Sequence, residues 1–70
     1  MNFTPVRSSN VKAIGYDPDA KVMGVQFQDG SEYHYEGVPY EVYFYVQHAP
    51  SVGRTFAQVV KNNYSATRIR

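Results

Sequence analysis

The stretch KVMGVQFQDGSEYHYE, Lys21 to Glu36, decides how this chain folds. Met23, Val25 and Phe27 alternate with Gly24, Gln26 and Gln28, the period of two that marks a strand. Asp29-Gly30 marks a hairpin turn, and Ser31 to Glu36 is the returning strand. Two loops compete. A two-residue Asp29-Gly30 loop would pair Gln28 with Ser31 and set Met23, Val25 and Phe27 on the same face as Glu32, His34 and Glu36. A three-residue loop, Gln28-Asp29-Gly30, pairs Phe27 with Ser31, Val25 with Tyr33 and Met23 with Tyr35, with glycine in the left-handed position of a type I turn and G1 bulge. A slip of one residue turns every side chain to the other face, so burial selects the register. Only the three-residue loop keeps the apolar face free of charge. It predicts one face of Met23, Val25, Phe27, Tyr33 and Tyr35, and a solvated face of Gly24, Gln26, Glu32, His34 and Glu36.

Working outward, Ser8 to Asp17 reads as a strand around Val11, Ala13, Ile14 and Tyr16. Val11 and Ile14 do not share a period of two, which predicts a bulge or an irregular edge strand. Asp17-Pro18-Asp19-Ala20 is a turn, with proline at its second position. The first seven residues read as a loose lead-in. Pro39 suits the first position of a helix, and Val38, Val42, Tyr45, Val46 and Ala49 then form one helical stripe. Pro50 ends that helix. Ser51 suits the N-cap of a second helix, with Val52, Phe56, Val59, Val60 and Tyr64 as its stripe. The expected fold is α+β: a three-stranded antiparallel β-meander followed by two helices packed on one face, β-β-β-α-α, because the helices alone can cover the apolar side.

Seventy residues make a single domain, residues 1–70, with little stability to spare. Cysteine is absent, which excludes disulfides and thiolate metal sites. Seven Tyr and four Phe supply apolar area that a small core otherwise lacks. No apolar run approaches the ~20 residues that span a bilayer, and the N-terminus lacks a secretory leader. These features lead us to expect a soluble, cytoplasmic protein. The net charge of +1 hides a segregation. All six acids lie between Asp17 and Glu41, whereas Arg54, Lys61, Arg68 and Arg70 follow with no acid among them.

Taken together, Ser8-Ser9, Ile14-Gly15-Tyr16-Asp17, Val25-Gln26-Phe27, Gly30, Tyr33-His34-Tyr35, Gly37-Val38-Pro39, Ser51-Val52-Gly53-Arg54, Lys61 and Tyr64 resemble the KTSC domain, in order and spacing, over nearly the whole chain. That family is named for a C-terminal extension of some lysyl-tRNA synthetases, with stand-alone members in bacteria and phages. The resemblance implies an RNA-binding role by association with that enzyme. The chain departs from the pattern at Thr55, where members often carry an aromatic residue, and at Ala57, where asparagine is common.

Candidate sites follow from the same register. Tyr33 and Tyr35 fall on the apolar face, which makes them core rather than an open stacking platform. Glu32, His34 and Glu36 lie on the opposite face, but alternate side chains on one strand stand about 7 Å apart, too far to close a metal site unaided. Ser51, Gly53 and Arg54 open the second helix, where free N–H groups and the helix dipole favour anions. Gln58 and Lys61 continue Arg54's face, and Arg68 and Arg70 follow in the tail. These residues are the candidate nucleic-acid or phosphate contacts. Tyr40, Tyr43 and Phe44, off the first helix's core stripe, are the candidate partner or self-association surface. His34 and His48 lie in different elements, and neither has an evident nucleophile. The chain is therefore expected to be a small non-catalytic binding module without cofactor or metal. It is expected to bind RNA or another nucleic acid, or alternatively a protein partner or itself.

Overall fold

A computed structural model describes all 70 residues. The chain runs β1 (Phe3–Pro5), β2 (Val11–Asp17), β3 (Val22–Phe27), β4 (Glu32–Glu36), α1 (Tyr40–Gln47), α2 (Val52–Val59) and β5 (Ala66–Arg68). The strands form one five-stranded antiparallel sheet in the order β1-β2-β3-β4-β5.

The central hairpin takes the charge-free register. Val25 faces Tyr33 and Met23 faces Tyr35. The Phe27 N–H donates to the Ser31 carbonyl at 2.8 Å, and Gly30 sits at φ +93°, the left-handed conformation that glycine adopts without strain. The expected bulge falls between Val11 and Ala13. It realigns Ile14 with Val25, so both side chains enter the core. In the β2–β3 turn, the N–H groups of Asp19 and Ala20 donate to Asp17 Oδ1 at 3.0 and 3.2 Å.

The meander has five strands, not three. Residues 3–5 are a strand rather than a loose lead-in, and 66–68 are a strand rather than a tail. Both are three residues long and mostly exposed, so neither shows the alternation that announces a strand. They exist through pairing alone, β1 on β2 and β5 on β4. Pro5 is tolerated because it lies on an edge strand.

The helices cover one face. Val11, Ile14, Met23, Val25 and Tyr35 meet Val38, Tyr43, Val46, Val52, Phe56 and Val60 in a single core. The second helix follows the expected stripe. The first is rotated from it: Tyr43 is buried, and Tyr45 is 63% exposed. Tyr43 turns inward because its ring stacks on Tyr16, with centroids 5.0 Å apart. The Tyr16 hydroxyl then donates to the Val38 carbonyl at 2.6 Å, tying β2 to the entrance of α1.

The opposite face is only partly solvated. Gly15 and Gly24 are paired there and both are buried, because the N-terminus lies across them. A Cβ on Gly15 would stand 2.7 Å from the Asn2 carbonyl oxygen, and one on Gly24 would stand 2.7 Å from Phe3 Cζ. Gly15→Val is therefore expected to detach β1 and cost about 1–3 kcal/mol. Loss of amide-exchange protection confined to residues 3–6 and their β2 partners, with β3 and β4 still protected, is the expected readout.

Candidate functional site: an aromatic cleft with a basic rim

β3, β4 and α2 do not close completely on one another. Between them lies a cleft of about 350 Å³ lined by Asn10, Phe27, Asp29, Ser31, Tyr33, Tyr35, Phe56, Ala57 and Lys61. Its existence follows from the register. Phe27 and Tyr33 share the helix-facing side of the hairpin, but α2 covers them only in part. Tyr35 and Phe56 are fully packed beneath, edge to face at 5.3 Å. Phe27 meets Tyr33 at 5.8 Å with the rings nearly perpendicular, and meets Phe56 at the same distance. The cleft thus has an aromatic floor. Ala57, exposed on α2, adds little bulk to its wall.

The rim is polar and contains charges of both signs. Lys61, just beyond α2, is exposed at one side. Arg68 of β5 places its guanidinium 5.8 Å from the centre of the Tyr33 ring, a cation–π contact. Asp29, at the hairpin tip, accepts from the Ser31 N–H at 2.9 Å and the Ser31 hydroxyl at 2.7 Å, both on Oδ1. Those two bonds, with the nearby Arg68 charge, hold its carboxyl below the usual range. Burial pushes the Tyr35 hydroxyl up.

The expected phosphate contacts divide into three places. Lys61 and Arg68 stand beside the cleft. Arg54 and Gln58 are exposed on α2. Arg70 lies on the opposite face, where its Nη2 donates to Glu32 Oε1 at 2.9 Å. The five groups therefore do not form one patch.

At the start of α2, the Ser51 side chain makes no capping bond. The room that Gly53 leaves is filled by this chain: a Cβ there would lie 2.5 Å from Ser8 Oγ and 2.7 Å from Asn10 Oδ1. Ser8 Oγ also donates to Asn10 Oδ1 at 3.0 Å. The glycine thus allows the 8–10 loop to sit on the helix.

Of the expected partner residues, Tyr40 and Phe44 are 53% and 47% exposed. Tyr43 is not available, being buried against Tyr16, and exposed Tyr45 takes its place beside them. A second hollow of about 400 Å³ runs along this region between Glu41, Phe44, Tyr45, His48, Ala49, Pro50 and Thr55. Ala57 thus lines the cleft, and Thr55 lines this second hollow.

Glu32 was expected in solvent and is 7% exposed. Gln26 Nε2 donates to its Oε1 at 3.1 Å, and His34 Nε2 lies 2.7 Å from its Oε2. Burial alone pushes this carboxyl up. The bonds from Gln26 and His34, with the Arg70 charge, outweigh burial and hold it below its ordinary range. This cluster fastens the C-terminal strand and was not legible locally, because Arg70 is 38 positions away. No group of three or more His, Asp or Glu side chains is gathered in metal-binding geometry.

The KTSC domain family model matches residues 7–64. A protein from Stutzerimonas stutzeri, described as uncharacterized, is 41% identical over 61 residues, covering 87% of this chain and 86% of that one. A protein from Tsukamurella paurometabola is 37% identical over 65 residues, 93% of this chain and 97% of its own length. The crystal structure of a KTSC domain protein from Yersinia pestis superposes with a TM-score of 0.92 at 37% identity, covering 99% of this chain and 97% of that one. The chain belongs to the KTSC domain family.

Proposed function

We propose that this domain is a non-catalytic module that binds single-stranded RNA across the cleft between the β3–β4 hairpin and α2. One observation carries the reading: Lys61 lines the half-open aromatic cleft, and Arg68 stands over the ring of Tyr33 that forms part of its floor. Single strands are held by this combination, in which cations take the phosphates and rings take the bases. Arg54 and Gln58 extend the path along α2. The association of the KTSC name with C-terminal extensions of lysyl-tRNA synthetases is in keeping with an RNA ligand. His34 is engaged by Glu32, and the His48 ring lies tilted against Phe44 with centroids 4.1 Å apart.

Labelled single-stranded RNA titrated at two salt concentrations tests the reading. Affinity is expected to fall with a log–log slope of roughly −0.7 per phosphate contact. Lys61→Ala should flatten the slope by about one contact. Absence of binding at low salt rejects the proposal. The second reading, a protein-interaction or self-association surface, rests on the contiguous rings of Tyr40 and Phe44, 6.0 Å apart. It predicts a concentration-dependent mass in sedimentation, or a partner whose binding is lost in Tyr40→Ser with Phe44→Ser.

A further inference from the structure

The outward face of the helix layer carries charge as well as exposed rings. Tyr40, Phe44 and His48 form a continuous row, with ring centroids 6.0 and 4.1 Å apart. Tyr40 also meets Tyr16 at 5.7 Å, so the row is anchored on the sheet. Glu41, Phe44, Tyr45 and His48 line the hollow of about 400 Å³ from the α1 side, and Thr55 lines it from α2. Glu41 lies in the first turn of α1. Arg54, the residue before Thr55, lies in the first turn of α2 and is exposed. Neither charge is engaged within the chain, because both ion pairs of the fold belong to Glu32.

This arrangement is self-complementary. In an isologous contact the same patch serves both partners, so each pairing is made twice. A two-fold axis through the hollow sets the Glu41 carboxylate of each copy against the Arg54 guanidinium of the other. A different protein would have to supply both charges in that order, whereas a second copy has them by symmetry. Aromatic residues of this kind anchor interfaces. One face of a molecule measuring 28 × 26 × 23 Å is comparable to the ~800 Å² that each partner of a standard interface contributes.

We infer that the α1–α2 face docks a second copy of this chain through a two-fold contact, in which Glu41 of each copy pairs with Arg54 of the other around the rings of Phe44 and Tyr45. This rests on the interaction-surface reading of Tyr40 and Phe44 and adds to it the occupant. The aromatic cleft stays open in the dimer. Ala57 lines the cleft and Thr55 the hollow, and residues two apart on a helix lie on opposite flanks. Arg54 is committed to the dimer in this arrangement, and the RNA path keeps Gln58, Lys61 and Arg68.

Sedimentation of the full 70-residue chain at rising concentration, without RNA, tests the inference. The mass is expected to approach twice 8.0 kDa and stop there. Glu41→Arg and Arg54→Glu each set like charges together at both pairs, and each should weaken the dimer about ten-fold or more. Mixed one to one, the two variants restore opposite charges at both pairs. The mixture should dimerise like the wild type although neither variant does so alone, a recovery that a folding defect cannot produce. Dimers that persist in both charge variants but are lost in Tyr40→Ser with Phe44→Ser overturn the pairing and leave the interaction-surface reading standing. Mass that grows beyond the dimer overturns the two-fold closure. A chain that stays monomeric at its highest soluble concentration overturns the inference and leaves the rings of α1 to a different protein.

Discussion

Phe56→Ala is expected to destabilise the fold by about 3–5 kcal/mol, the largest effect of any single truncation named here. Phe56 is 2% exposed and meets both Phe27 and Tyr35 edge-on. It is the one ring of α2 that reaches the aromatic floor of the hairpin, so its loss leaves a cavity where the two layers join. Domains have about 5–15 kcal/mol in total, and the smallest lie at the low end. The variant should therefore be largely unfolded at room temperature. A urea titration followed by circular dichroism measures this, with Ala57→Ser as the neighbouring control expected within about 0.5 kcal/mol of wild type. A wild-type midpoint for Phe56→Ala would mean that α2 does not pack on the hairpin through this ring.

The second large effect is at Glu32. Glu32→Ala removes the acceptor for Gln26, His34 and Arg70 together. Hydrogen bonds to a charged group contribute about 1.5–3 kcal/mol. The exposed Arg70 partner lies at the weak end of what ion pairs give. The expected cost is about 2 kcal/mol, and it should appear first as loss of exchange protection in β5. The same cluster sets an acid limit. Because Glu32 is held below its ordinary range in the folded chain, the unfolded chain takes up its proton first, at about pH 4.3. The stabilisation is complete above that value and is lost as pH falls through the lower, folded value. Melting temperature should decline below about pH 4 in the wild type and decline less in Glu32→Ala. Equal acid sensitivity in the two proteins would move the acid limit to another carboxylate.

How much of this was legible in the sequence depends on where the determining interaction lies along the chain. The central register was legible because only one pairing of Val25 and Met23 kept charge off the apolar face. The bulge at Val11 was legible from its mismatched period. Tyr43 and Tyr45 were exchanged between core and surface. Helical periodicity alone cannot rank two tyrosines about 200° apart on a short helix, and the deciding contact with Tyr16 comes from a distant strand. β1 and β5 were missed for a related reason, since three-residue edge strands are defined by their partners. The solvated face was misjudged because Phe3 and Arg70, at opposite ends of the chain, reach across it. Of the candidate site, Lys61 and Arg68 were legible as cations, but the aromatic floor they flank was not. Phe27 and Tyr33 had been placed wholly in the core, whereas α2 leaves them half covered.

The central claim is that the face between the hairpin and α2 is where this domain binds. Amide chemical shifts of the isotopically labelled protein, recorded while a single-stranded RNA octamer is added at low salt, test it most directly. The predicted result is a set of perturbations centred on Asp29, Ser31, Tyr33, Ala57, Lys61 and Arg68, weakening as salt is raised. Perturbations confined to Tyr40, Phe44 and Tyr45, or none at any concentration, would contradict it.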